Sequence, residues 1–346
     1  MAAYNAPGLR HSSDDEPGIR RIRSGRGFRY VDARGHAVRA AATLQRIRAL
    51  AIPPAYTQVW ICAQANGHLQ ASGRDARGRK QYRYHPDWVR MRSADKFDRI
   101  VAFGKALPDL RRQARADLKL PGLPREKVIA IVVAVMGRTL GRIGNDAYAR
   151  SNRSYGLTTL RNQHLQIRGG RAQLRFNGKS GQLQALHIDD PQLARLVQRC
   201  QQLPGQLLFQ YRDDNGRLRP VDSADVNDYL RRTTGDTFSA KDFRTWGGTL
   251  VALRELAQLP LPDGGGEQAL TAMQNQVIAA VAAMLGNTPA VCRKAYIDPC
   301  VFDGWRQGQL LRLRSLRGPR QWEAAALRFL RAAHRGTGAV SRSASQ

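Results

Sequence analysis

The sequence predicts an α+β protein: a small β-rich N-terminal domain followed by a mainly helical domain that carries a three-stranded antiparallel sheet. Three observations predict it. Short β-prone runs separated by Gly-containing turns fill residues 19–85. The hydrophobic period then lengthens after about residue 86. Within the helical part, one stretch returns to alternation, with glycine pairs between its runs. A chain of 346 residues suits roughly two domains with ample core.

Residues 1–18 are polar, contain Gly and Pro, and are expected to be a disordered tail. The β-rich domain spans 19–90 and the helical domain 91–346. In the first, Ile19–Arg23 and Phe28–Val31 flank a Gly-containing turn, and a short helix near 40–50 ends before Pro53-Pro54. Val59–Cys62 and His68–Ala71 flank Asn66-Gly67, a strong hairpin signal. In the second, residues 86–103 and 107–119 have helical periodicity, and 125–141 form a strongly apolar helix suited to a core. His164–Arg168, Ala172–Phe176 and Gln182–His187 make the meander, joined by Gly169-Gly170 and by Gly178-Lys179-Ser180-Gly181. Helices return at about 190–203, 223–233, 240–258 and 266–285. Thr288-Pro289 has the form of an N-cap and first-turn proline, and a last helix covers 319–334 before a polar tail.

Charge says most about partners. Lys plus Arg number 56 against 27 Asp plus Glu, a formal net charge of +29, which points to a polyanion. Eight of these cations are lysines, so arginine outnumbers lysine six to one. A GC-rich genome accounts for Arg over Lys but not for basic over acidic. Cys62, Cys200, Cys292 and Cys300 form no CxxC pair and have no His cluster beside them, so neither a metal site nor a disulfide framework is expected. No apolar run is long enough to span a membrane, and no signal core opens the chain, so a cytoplasmic location is expected. No GxxxxGK[ST] phosphate loop is present.

Five segments carry possible chemistry, and each has a bland alternative. Arg142, in Arg142-Ile143-Gly144-Asn145, sits where a basic residue commonly serves a helix C-terminus. Lys179 at a hairpin tip is commonly solvated, yet in an arginine-rich chain a lysine there stands out, because lysine can release a proton and arginine cannot. Lys241 and Arg244 are spaced i,i+3 on one helix face, which suits a phosphate or a surface ion pair. Asn287 lies in the turn Gly286-Asn287-Thr288-Pro289, where Asn also serves turns, and Tyr296 follows nine residues later.

Taken in order, Arg142, Lys179, Arg244, Asn287 and Tyr296 resemble the catalytic set of the small type IB topoisomerases of bacteria and poxviruses. The local motifs resemble that family as well: RIGN, FNGKSG, KDFRTWG and GNTPAVCRKAY. So do Ile52-Pro53-Pro54-Ala55-Tyr56 and the block GRDARGRKQYRYHPDW at 73–88. The resemblance covers roughly residues 40–300 and departs at Asn287, where some members have His. It implies a clamp around duplex DNA, a monomer, no cofactor, and Tyr296 as nucleophile. It also implies that Arg142, Arg244 and Asn287 hold the phosphate and that Lys179 is the general acid. Arg79, Lys80, Gln81, Tyr82 and Tyr84 alternate basic, amide and aromatic groups suited to DNA, against the alternative of an ordinary edge strand; Tyr148 is a further phosphate-contact candidate. The nearest rivals are tyrosine recombinases, which usually show His-x-x-Arg where this chain has Lys241-x-x-Arg244 and have a helical N-terminal domain, and a non-enzymatic nucleoid protein.

Overall fold

The computed structural model describes residues 8–76, 78–235, 238–262 and 266–343. The chain divides into two compact units, Met1–Phe97 and Asp98–Gln346.

The first unit is an antiparallel sheet of β1 (Ile19–Ser24), β2 (Gly27–Val31), β3 (Thr57–Ile61), β4 (Leu69–Arg74) and β5 (Lys80–Tyr84), with α1 (Ala41–Ala49) between β2 and β3. The strand order is β2-β1-β3-β4-β5, so β5 is an edge strand. The core is small: Ile19, Ile47, Val59, Ile61 and Ala71. The Asn66-Gly67 signal does join two paired strands, but through a longer loop than a two-residue turn, with Trp60 opposite Ser72 and Ile61 opposite Ala71. The reason lies in the N-terminal segment. Arg10 bridges to Gly67, and the buried Ser12 hydroxyl both donates to the Leu69 carbonyl at 3.0 Å and accepts the Leu69 N–H at 3.1 Å. The expected disorder over 1–18 is therefore not seen from residue 8 onward, because these residues satisfy the loop's backbone groups; residues 1–7 of that expectation lie outside the described residues.

The helix α2 (Pro86–Asp117) runs unbroken where two helices separated near 104–106 were expected. Pro108 is inside it; a proline removes one helical hydrogen bond, to Gly104, but its neighbours keep theirs, and Ile100, Phe103, Leu107 and Leu110 supply a buried stripe that holds the helix together.

In the second unit, α3 (Arg125–Thr139) is the central element, with Val128–Val133, Val135 and Met136 all buried. It stops two residues before the expected end, because Leu140 adopts a left-handed cap at φ 54°. After α4 (Asp146–Asn152) comes the antiparallel sheet β6 (Leu165–Arg168), β7 (Arg171–Asn177) and β8 (Leu183–Ile188), in that order. Along β7 the residues Ala172, Leu174 and Phe176 point inward by period two. Then follow α5 (Pro191–Gln201), a small hairpin of β9 (Gln210–Arg212) and β10 (Leu218–Pro220), α6 (Ser223–Thr234), α7 (Ala240–Gln258), α8 (Glu267–Leu285), α9 (Pro289–Ala295), α10 (Cys300–Arg306) and α11 (Pro319–Ser343). Thr288 caps α9 by accepting the Val291 N–H, with Pro289 in its first turn. α11 continues past the expected end at 334. No single helix among the described residues is long and apolar enough to cross a membrane.

Candidate active site

Arg142 lies three residues beyond α3, past the left-handed Leu140, so it is not the helix-terminal residue that the sequence allowed. Its backbone is pinned: the Arg142 and Ile143 carbonyls accept from Leu157 N–H at 2.8 Å and Thr158 N–H at 2.7 Å. From there the guanidinium reaches the turn after α8, donating to the Gly286 carbonyl at 3.2 Å from both terminal nitrogens and to Asn287 Oδ1 at 2.5 Å. That turn is set by Gly286, whose left-handed φ of 59° closes α8.

Arg244 sits in the first turns of α7, whose start is fixed by Ser239: its N–H donates to Asp242 Oδ2 at 2.8 Å. Arg244 and Lys241 do not share an environment despite their i,i+3 spacing. Lys241 is exposed, whereas Arg244 is 5% exposed. Its terminal nitrogens donate to the Leu140 carbonyl at 2.5 Å and the Leu285 carbonyl at 2.7 Å. Its guanidinium carbon stands 5.0 Å from the centre of the Tyr296 ring. Tyr296 itself, half-buried, ends α9 with an irregular backbone at φ −133° and ψ −5°.

Two donors in this cluster are left over. Arg244 Nε and Asn287 Nδ2 are buried and have no hydrogen-bond partner among the described residues. The orientation of the Asn287 amide follows from its neighbour: arginine cannot accept, so Oδ1 faces Arg142 and the NH₂ faces away. Burial first, and then the nearby Arg244, hold the Arg142 guanidinium below its ordinary pKa, with Tyr296 acting the other way. Carbonyl oxygens orient both arginines without neutralising them. The result is a concentrated positive field with unused donors beside a phenol, an arrangement matched to an anion that builds negative charge during reaction.

Lys179 is not brought into contact with these four. It is exposed at the tip of the β7–β8 connection, where Ser180 adopts a left-handed φ of 64°, and it has no hydrogen-bond partner among the described residues. The base of its hairpin, however, adjoins the cluster. Gln184, opposite Phe176 on β8, fills the space beside Gly178 and Gly286: an added Cβ would come within 2.7 Å of its Cγ at the first and 2.5 Å of its amide at the second. Gln184 was not legible in the sequence, since nothing local distinguishes it from other polar strand residues.

The β5 candidates occupy an edge strand. Arg79 pairs with Asp75 at 2.8 Å, and Gln81 donates to the same carboxylate at 3.0 Å. Lys80 pairs with Asp14 at 2.6 Å, and this partner raises the Lys80 pKa. Tyr82 and Tyr84 are exposed and stack at 6.1 Å between ring centres. Tyr148 is 54% exposed on α4, whose N-cap Asn145 accepts the Tyr148 N–H.

Asp298, Cys300 and His334 place one oxygen, one sulfur and one nitrogen within 4.8 Å of one another. The carboxylate already accepts the Cys300 N–H at 3.1 Å and bonds His334 Nε2 at 2.8 Å, and burial with the adjacent Asp298 pushes the thiol pKa well up. The Asp298 carboxylate thus bonds to both of the other residues.

The helical unit thus holds two arginines oriented for an anion beside a tyrosine, and comparisons with known proteins say which enzymes carry such a unit. Residues 80–299 match the family described as eukaryotic DNA topoisomerase I, catalytic core, and residues 27–75 match the bacterial DNA topoisomerase IB N-terminal domain. The chain is 32% identical to DNA topoisomerase 1B of Acanthamoeba polyphaga mimivirus over 285 residues, 81% of this chain and 85% of that relative. It is 24% identical to DNA topoisomerase 1B of Vaccinia virus (strain Copenhagen) over 257 residues, 72% of this chain and 75% of that relative. The chain belongs to the type IB DNA topoisomerases, in their small viral and bacterial form, and is accordingly an isomerase.

Proposed function

We propose that this enzyme relaxes supercoiled duplex DNA by cutting and resealing one strand through Tyr296, without ATP or a required metal. The observation that carries the reading is the Arg142–Asn287–Arg244 cluster, whose donors converge within reach of the Tyr296 ring. The Tyr296 hydroxyl gives up its proton to water as its oxygen attacks a backbone phosphorus, forming a 3′-phosphotyrosyl bond as the bond to the 5′ oxygen breaks. Negative charge grows on the two non-bridging oxygens, where Arg142, Arg244 and the Asn287 NH₂ act as donors. The departing 5′ oxygen is a poor leaving group as an alkoxide and takes a proton from Lys179. Lys179 rests in solvent at its hairpin tip, so this role requires the tip to fold onto bound DNA. After strand rotation the 5′-hydroxyl attacks the phosphotyrosine, returns its proton and restores the duplex. The phosphodiester bond energy is kept in the adduct, so no nucleotide is needed.

In this reading the two units clamp the duplex as a monomer in the cytoplasm, with the Tyr82–Tyr84 face and Tyr148 against the DNA backbone. The β-sheet N-terminal unit favours this over a tyrosine recombinase. The experiment is relaxation of a plasmid lacking recombination sites, in EDTA and without ATP, followed by mapping of the DNA-linked peptide. Relaxation of both supercoil signs with Tyr296 in the adduct is expected, and Tyr296→Phe should bind DNA and form no adduct. A strict need for magnesium or nucleotide, or an adduct on another tyrosine, overturns the reading.

A further inference from the structure

Behind Tyr296 runs a continuous hydrogen-bonded chain that the reaction above leaves unused. The Tyr296 carbonyl accepts from the Thr249 hydroxyl at 3.3 Å, and the same hydroxyl accepts the Asp298 N–H at 3.1 Å. One fully buried side chain thus spans the peptides on either side of Ile297. Thr249 has one hydroxyl proton, spent on Tyr296, and one of its two lone pairs takes the Asp298 N–H. The neighbouring Gly248 brings α7 against the same backbone: an added Cβ there would stand 2.6 Å from the Tyr296 carbonyl oxygen. The chain continues through the Asp298 carboxylate, with a side chain 3% exposed, to His334 Nε2 of α11 at 2.8 Å. Since the carboxylate can only accept, Nε2 carries the proton.

The geometry points to Thr249 and His334 as positioning residues for the nucleophile, acting through Asp298 and resting on the reading of Tyr296 as that nucleophile. α7 carries both Arg244 and Thr249, so a single rigid element sets the separation between the phosphate-binding guanidinium and the backbone of the attacking residue. α9 reaches only the start of this segment: its last hydrogen bond, from the Tyr296 N–H to the Cys292 carbonyl at 2.9 Å, leaves the peptides beyond Tyr296 to other elements. Thr249 is one point of attachment for the peptides around Ile297. His334 supplies the second point from α11, held by a short bond in a side chain 18% exposed. Without that donor the buried carboxylate would keep the Cys300 N–H at one oxygen and lose the partner of the other, which favours a shift of its segment toward water. Misplacing an attacking group by about 1 Å costs on the order of 10²-fold in rate, so a partial loosening is expected to slow the chemical step while leaving DNA affinity unchanged.

The test uses the full-length chain and a duplex whose cleaved 5′ strand dissociates, so that one round of adduct formation is observed. Rate at saturating DNA, DNA affinity and melting temperature are measured for His334→Leu, His334→Gln, Thr249→Val and Thr249→Ser. His334→Leu and Thr249→Val should slow adduct formation by about tenfold or more with affinity within about twofold. His334→Gln, whose amide N–H reaches the position of the imidazole Nε2, and Thr249→Ser, which keeps the hydroxyl, should recover most of the rate. The double variant His334→Leu with Thr249→Val should lose less than the product of the single losses, because both break one chain. A wild-type rate in His334→Leu, a Gln variant as slow as the Leu variant, or rate and affinity falling together would each overturn the proposal. With the wild-type adduct on Tyr296, those results defeat this inference alone; an adduct on another tyrosine defeats the nucleophile assignment instead.

Discussion

Two sets of cationic side chains in this protein are held in opposite ways. In the helical unit, Arg142 and Arg244 are oriented by the carbonyls of Gly286, Leu140 and Leu285 and by one amide oxygen. Neither has a carboxylate partner among the described residues. On β5 and its approach, Arg79 and Lys80 are paired with Asp75 and Asp14. A carbonyl dipole fixes direction and leaves the net charge whole; a carboxylate cancels the charge it orients. In the proposed reaction the first set would keep its full charge for the phosphate. The second would have to give up an ion pair to contact DNA, which suits contacts made and released as a duplex moves. Lys179 belongs to neither set: it is exposed and has no hydrogen-bond partner among the described residues.

The comparison can be tested hardest at Lys179. General acid catalysis is typically worth about 10²–10⁴-fold, so Lys179→Ala should slow single-turnover cleavage of ordinary DNA within that range. The defect should largely vanish when the leaving 5′ oxygen is replaced by sulfur, since a thiolate departs without a proton. Arg142→Ala should share part of that rescue if Arg142 helps deliver the proton; Arg244→Ala should show none. Equal Lys179→Ala defects on both substrates would move Lys179 into the phosphate-holding set.

Arg244→Ala should cost about 10²–10³-fold in the same assay, the usual worth of one transition-state donor. Arg244→Lys should recover little, because one ammonium cannot bond both the Leu140 and Leu285 carbonyls and still face a phosphate. Recovery by lysine would mean that charge alone matters and that carbonyl orientation does not.

Effects on β5 should be smaller and of the opposite sign. Asp75→Asn and Asp14→Asn release Arg79 and Lys80, so DNA binding should tighten by less than about tenfold at low salt, measured by titration. Lys80→Ala should flatten the slope of log affinity against log salt by about 0.9 or less, the value for one phosphate contact. Binding that weakens in Asp14→Asn would show that the pair shapes the surface and does not restrain the lysine.

The smallest effect concerns pH. Burial pushes the Asp14 carboxyl up, but hydrogen bonds from Lys80 and Ser72 outweigh it and hold the pKa below its usual 3.8. A carboxyl depressed on folding adds stability above its unfolded pKa and loses it as pH falls through the folded value. Melting followed from pH 5 downward should therefore decline more steeply in the wild type than in Asp14→Asn, by about 2 °C or less in an exposed pair of this size.

The five catalytic candidates were legible because each lies in a local motif, and the motifs occur in order. Their surroundings were not. Nothing between residues 241 and 244 says that one side chain is solvated and the other buried, because that is decided by Leu140 and Leu285, each at least 40 residues away in sequence. Gln184, Thr249 and His334 escaped for the same reason: each acts through partners on other elements. The ordered segment after residue 8 escaped because its composition is that of a tail, while its order comes from the loop at Gly67. The break expected at 104–106 did not form; local periodicity cannot show that Ile100, Phe103, Leu107 and Leu110 are buried as one stripe through it.

The fixed amide of Asn287 also bears on which residues can stand in its place. The position demands a side chain with two ends of unlike polarity: one that takes a hydrogen bond from Arg142 and one that gives a hydrogen bond outward. A neutral imidazole has that same polarity, with one bare nitrogen and one N–H, and so His and Asn are interchangeable here only as uncharged relays. An imidazolium has no bare nitrogen and would confront Arg142 with a second cation, while aspartate could take the bond but give none. The tolerance of this site is thus a matter of a side chain's directionality, and acid strength does not enter into it.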